Sequence, residues 1–284
     1  MNHRSAVRDT CAYLALVTGG SIAVALALSR STAVPALSAI VPVAVLLTLT
    51  PILGRSTWSN LGLAHSGLRR WPVALAVPAV VAAFAYGIGV LTGVVRKVAD
   101  PQVGWLLPLV FSVVFGTVLV LGEEVGWRGF MLPRLQTITS PRSAAVVTGL
   151  AHALVHLPLI LLTTTYNSQG SRWIVAPLTV VTITAAGVFY GWLRDSSGSI
   201  WPAAIAHSAG NALVGSIAVA ANPAVAASAA HLTGEGGVLP AVSMSAVAVL
   251  LLVRARVWCP RTGAPGTGPG TGHAPVLDPI GSAR

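Results

Sequence analysis

WLLPLVFSVVFGTVLVLGEEVGWRGF, residues 105–130, carries no charge over its first eighteen positions and then places Glu123, Glu124 and Arg128 within six. An α-helix rises 1.5 Å per residue, so about 20 apolar residues cross the hydrocarbon core of a bilayer. The stretch therefore reads as a membrane-spanning helix that ends in an ionisable cluster. Its uncharged interval, 101–122, has seven counterparts at 10–29, 31–54, 71–95, 143–171, 173–193, 196–234 and 236–253. A buried soluble helix would rarely need such length eight times over, and the roughly 10-residue alternation of a barrel strand is absent. The intervals predict eight transmembrane helices near 11–29, 35–53, 72–93, 105–130, 143–163, 174–193, 202–220 and 238–253.

Composition agrees with an all-α, polytopic membrane protein. Of 284 residues, 54% are hydrophobic and 8% charged, against about 25% charged in a soluble domain, and the mean hydropathy is +0.78. The lipid bilayer is thus the first partner. The net charge of +10 is unevenly placed. With eight spans, Arg4, Arg8, Arg55, Arg69, Arg70, Arg128, Arg134, Arg142, Arg194, Arg254, Arg256, Arg261 and Arg284 fall on one side, and Arg30, Arg96, Lys97 and Arg172 on the other. By the positive-inside rule both termini are expected in the cytoplasm, in a multi-pass protein of the cell membrane. No basic cluster is interleaved with aromatics, which argues against a nucleic-acid partner. The first apolar run is long and seven more follow, so a retained helix is expected, not a cleaved signal. Cys11 and Cys259 fall on the cytoplasmic side and predict neither a disulfide nor a zinc cluster.

Residues 1–259 read as the eight-helix transmembrane domain. Residues 260–284, with eleven Gly or Pro in twenty-five positions, read as a disordered cytoplasmic tail. Residues 221–237 are small and lack Lys or Arg, and are expected to form an external loop. Pro158 is predicted to kink the fifth span just after His156.

Few ionisable groups lie within or against the apolar spans: Glu123, Glu124 and Arg128 in the fourth, His152 and His156 in the fifth, His207 in the seventh. Charge in a bilayer is costly, so such residues default to function. Asp9, Asp100, Asp195, Glu235 and Asp278, with His3, His65, His231 and His273, read as solvated surface. Adjacent helical residues point about 100° apart, so Glu124 can pair with Arg128 at i,i+4 while Glu123 faces another helix. A carboxylate tuned by burial and facing charges suits general-base work on a water. His152 and His156 share a helix face, as do His207 and Asn211. The amide of Asn211 suits a developing oxyanion.

The order Glu-Glu-x-x-x-Arg, then x-x-x-x-His in the next span, then His-x-x-x-Asn two spans later resembles the CPBP family. This family comprises intramembrane endopeptidases, including type II CAAX prenyl proteases and bacteriocin-immunity-type proteins. The resemblance covers about residues 100–215. It implies a hydrolase in which Glu123 activates water, Glu124 is its partner and Arg128 supports them. His156 would orient the water, and His207 with Asn211 would stabilise the tetrahedral oxyanion. The second motif usually begins with Phe, where this chain has His152, so a ligand or supporting role is open there. Family members are described both as glutamate-dependent and as metalloproteases. The expectation is a cofactor-free mechanism. Zinc is the alternative, with Glu123, His156 and His207 as ligands.

Measured along the helices, His207 falls about 8 Å into the seventh span and His156 about 20 Å along the fifth. They meet only if span five is tilted, begins later or starts in the headgroups. The leading reading is an intramembrane endopeptidase whose polar cavity opens toward the cytoplasm and takes a membrane-associated or lipidated protein or peptide. A proton-coupled transporter would show broken spans in corresponding halves, which are not found. A catalytically silent scaffold or immunity-type protein would have lost a motif residue, and none is lost.

Overall fold

The computed structural model describes residues 3–54, 56–97, 106–166 and 169–259. The tail expected over 260–284 lies outside the described residues. The main helices are α1 (His3–Ala27), α2 (Val34–Leu53), α3 (Trp71–Leu91), α4 (Leu106–Glu124), α5 (Pro141–Leu154), α6 (Leu157–Leu162), α7 (Arg172–Ser197), α8 (Trp201–Val219), α9 (Ala226–Thr233) and α10 (Val238–Arg254). No strand occurs among the described residues beyond an isolated bridge between Val95 and Ala221. Seven helical runs are long and apolar enough to cross a membrane, which makes this an all-α, multi-pass membrane protein. The seventh expected span is α8, whose 19 residues include His207, Ser208 and Asn211 and which is not among these seven runs.

Two boundaries differ from expectation, and both bear on the site. Span four does not stop near residue 130: α4 runs on through a π-helical turn, Val125–Met131, into Leu132–Leu135. A π turn holds an extra residue and recurs at functional positions in helices. Span five breaks at Val155 and His156 instead of merely bending. Pro158 has no N–H to continue the helix, and the last turn tightens as His156 N–H donates to Ala153 C=O at 3.1 Å.

The bundle has two ends. At one lie both described chain ends and the connections that link Gln136 to Asp195 (2.8 Å) and Trp258 to Asp195 (2.7 Å). At the other, Thr164 N–H donates to Ser29 C=O at 2.8 Å and Ser171 N–H donates to His231 Nε2 at 2.9 Å. The terminal end is recessed at α8. Ser199 and Ile200 are fully buried, and the 60–67 segment covers them through Ile200 N–H to Gly62 C=O and Ser199 Oγ to His65 C=O. Because α8 starts below the rim, His207 lies deep although it is only six positions beyond Trp201, the first residue of the helix. That recess, with the extension of span four, closes the mismatch in depth that the sequence leaves between spans five and seven.

The core is dominated by Tyr13, Trp127, Arg128, Phe130 and Phe189, all fully buried. Helices α5 and α7 cross where Gly149 meets Gly187. A Cβ on either would run into the other's backbone, and one on Gly187 would also press on Arg128 Nη2. The crossing brings His152 against the π turn.

Candidate functional site

The two glutamates diverge as the helical geometry requires. Glu124 points inward and is fully buried, and its Oε1 accepts from Arg128 Nη1 at 2.9 Å and from His207 Nδ1 at 3.0 Å. Arg128, also fully buried, places its Cζ 5.0 Å from the centre of the Tyr190 ring. Glu123 faces a cavity of about 930 Å³, whose wall also holds His152, His156, His207 and Asn211. Of the six residues expected from the motifs, Glu123, His156, His207 and Asn211 line the cavity, while Glu124 and Arg128 are not among its lining residues. A carboxylate behind the wall, paired with a guanidinium, orients the His207 ring in front of it.

His152, outside the expected set, is in the middle of the arrangement. Its Nε2 lies 2.7 Å from Glu123 Oε2, and its Nδ1 lies 3.3 Å from Arg128 Nη1. A guanidinium only donates, so Nδ1 accepts and the proton sits on Nε2, which donates to Glu123. The ring stacks on Trp127 at 5.0 Å and lies 5.1 Å from His156 and 5.6 Å from His207, centroid to centroid. Its i,i+4 spacing to His156 is the sequence signal for this position. Its link to Arg128 needs the fold.

The same logic fixes the other imidazoles. His156 Nδ1 donates to the His152 carbonyl at 2.9 Å, and a carbonyl only accepts, so Nε2 of the neutral ring carries a lone pair. His207 Nδ1 donates to Glu124. Its Nε2 donates to a third group only in the imidazolium form.

These assignments test the zinc alternative. Among the described residues, the group whose ligand atoms lie within 4.8 Å of one another is Glu123, His152 and His156. A ligating imidazole donates its second N–H to an acceptor. With Nε2 on a metal, the proton of His152 would move to Nδ1, where it meets the donor-only guanidinium. His156 and His207 each have Nδ1–H on an acceptor and fit a ligand's needs, but His207 is not in the close group. The close set fails on donor chemistry and the expected set is not the close one. The residues as arranged do not fit zinc.

The cavity's direction corrects one expectation. It takes in Thr32, Thr165, Tyr166, Gln169, Ala221 and Glu235 from the connections at the end remote from the termini, and no residue from the 54–70, 136–140, 198–200 or 255–259 connections. A cavity open to the cytoplasm and cytoplasmic termini are therefore incompatible. The cavity and the chain ends lie at opposite ends of the bundle. Glu235, read as solvated surface, is also corrected: it is half-buried in the cavity wall.

Fold and site together define a multi-pass membrane protein with a buried Glu–His cluster at the base of an open cavity. Residues 104–213 match the family model described as Rce1-like, type II CAAX prenyl endopeptidase. The segment holds all six motif residues, so the similarity falls on the part of the chain that builds the site. No curated protein matches the chain.

Proposed function

We propose that this chain is an intramembrane endopeptidase using Glu123 as general base, without a metal, on a membrane-associated protein or peptide. The observation that carries the reading is the position of Glu123 on the cavity wall, held by His152 Nε2–H, with a carboxylate oxygen within 4.8 Å of a ring nitrogen of His156. A water between them donates one proton to Glu123 and the other to His156 Nε2, which leaves an oxygen lone pair turned toward the cavity.

As that oxygen bonds to the peptide carbonyl carbon, Glu123 takes a water proton. The carbonyl oxygen becomes an oxyanion, which Asn211 and the imidazolium form of His207 stabilise by donation. On collapse, Glu123 delivers its proton to the amide nitrogen and the C–N bond breaks. Glu124 and Arg128 do not touch substrate. They hold the His207 and His152 rings. With the positive-inside asymmetry placing the termini in the cytoplasm, the cavity opens on the opposite face of the cell membrane.

The test is quantitative terminal-peptide analysis of membranes from cells carrying wild type or Glu123→Gln. New N-termini that appear only with wild type, at equal protein levels, support the reading. Identical patterns of termini refute it.

A further inference from the structure

The protein carries 17 Lys and Arg against 7 Asp and Glu, yet among the described residues no Lys or Arg lines the cavity. Among the described residues, its acidic side chains are Glu123 at the base and Glu235 in the wall. The nearest guanidinium to the site, Arg128, is fully buried and paired with Glu124. Arg172, at the start of α7, is not among the lining residues and donates to Leu161 C=O at 2.8 Å. Apart from the histidines at its base, the charged side chains in the lining are thus carboxylates, inside an apolar bundle where charge is poorly screened.

Glu235 is a built feature of that wall. The phenol of Tyr166 hydrogen-bonds to it, and burial pushes the Tyr166 pKa up, with the charge of Glu235 adding to the shift. The segment carrying Tyr166 is itself fixed: Thr165 Oγ1 donates to Ser31 C=O at 2.8 Å, and Tyr166 N–H donates to Thr163 Oγ1 at 3.3 Å. The Tyr166 ring stands 6.0 Å from that of His156, which is 5.1 Å from that of His152. At about 3.3 Å per residue, an extended peptide covers such a span in roughly three or four residues.

We propose that Glu235, held by Tyr166, is a subsite for a basic side chain of a peptide segment whose scissile bond lies at Glu123. Arginine or lysine in the segment replaces its lost hydration with a charge-assisted hydrogen bond to Glu235. Away from the histidines at the base, a carboxylate on the bound segment meets Glu235 and is repelled, so the wall distinguishes a basic side chain from an acidic one. The inference rests on the peptidase reading for cleavage but not for binding, and the two are separable.

The experiment uses the purified full-length chain in detergent with synthetic peptides. Each peptide is an Ala/Leu/Val segment with one Arg moved stepwise along it, or with citrulline, the uncharged isostere, in its place. Binding is measured to Glu123→Gln protein, and cleavage to wild type. At one Arg position the Arg peptide should bind about tenfold more tightly than its citrulline twin, the size of one charged hydrogen bond. The preference should vanish in Glu235→Gln and pass to a Glu-bearing peptide in Glu235→Lys, each with an unchanged melting temperature. Tyr166→Phe should weaken it partially. Equal binding of Arg and citrulline peptides at every position overturns the subsite, whether or not they are cleaved. An Arg preference without cleavage by wild type upholds the subsite and removes the peptidase reading.

Discussion

His152 Nε2 donates to Glu123 Oε2 across 2.7 Å, and Arg128 Nη1 at 3.3 Å from Nδ1 holds the ring in the tautomer that makes this donation obligatory. The general base proposed for the reaction is thus positioned by a side chain from a different helix. That side chain is set in turn by the same arginine that neutralises the second glutamate.

Replacing His152 tests this chain of contacts. His152→Phe, which restores the residue usual in the resembled family, would be tolerated if His152 only filled space. With a charged hydrogen bond worth about 1.5–3 kcal/mol, we expect kcat instead to fall roughly 10- to 100-fold. His152→Gln, which keeps a donor, should retain more activity than Phe. Wild-type kcat in His152→Phe, at matched protein level, would reduce the residue to packing.

Arg128→Ala leaves Glu124 buried with one imidazole partner. Removing one member of a buried ion pair costs about 3–5 kcal/mol, so the variant should accumulate poorly and melt well below wild type. Adding Glu124→Gln removes the stranded charge and should recover much of the loss. A double-mutant cycle on melting temperature reads this coupling directly. Additive losses would show that the pair is not coupled.

Seven of the eight expected spans match helices long and apolar enough to cross a membrane, and they were legible because bilayer thickness sets helix length and charges punctuate the sequence at that interval. Glu123, Glu124, Arg128, His156, His207 and Asn211 were legible for a related reason: polar groups in apolar runs are rare, and helical spacing groups them. What distinguishes His152 from a packing residue is a hydrogen bond to Arg128, 24 positions earlier, which depends on the Gly149–Gly187 crossing. Glu235 looked like loop surface because its neighbours Gly234 and Gly236 signal a turn. Only the folding of the far-end loops over the cavity brings it beside Tyr166. The direction of the cavity was unreadable for the same reason, since it is made by segments far apart in the chain.

Orientation has its own test. Cys259 is exposed at the terminal end, and Ala224 is exposed at the far end. In a background lacking Cys11, a membrane-impermeant thiol reagent applied to intact cells should spare Cys259. It should label Ala224→Cys in a chain that also carries Cys259→Ala. Labelling of both from the same face would break the two-ended arrangement. Labelling of Cys259 alone would invert the protein and open the cavity to the cytoplasm.

Glu123→Gln preserves shape and removes the base. Activity should fall below detection while the melting temperature stays within a few degrees of wild type. Asn211→Ala removes one oxyanion donor and should lower kcat by roughly 10²–10³-fold, with a smaller change in KM. Because Asn211 lies exposed on the cavity wall, this variant should fold normally. Equal and large effects on KM and kcat would instead assign Asn211 to substrate binding.

Chelation separates the two proposed chemistries. A metal held by Glu123 and His152 Nε2 would need the His152 proton at Nδ1, where it opposes a guanidinium donor 3.3 Å away. Relieving that clash requires Arg128 to move, and Arg128 is fully buried and fixed to Glu124 at 2.9 Å. We therefore expect purified protein to keep its activity after exhaustive treatment with a strong chelator, and elemental analysis to find far less than one zinc per chain. Zinc added in excess should inhibit, since it would compete with the water for Glu123 and the His156 lone pair. The opposite pattern is equally clear: activity lost on chelation and restored by stoichiometric zinc. It would mean that His207 turns toward Glu123 and His156 to complete the site, and that the donation from His152 to Glu123 is broken in the working enzyme.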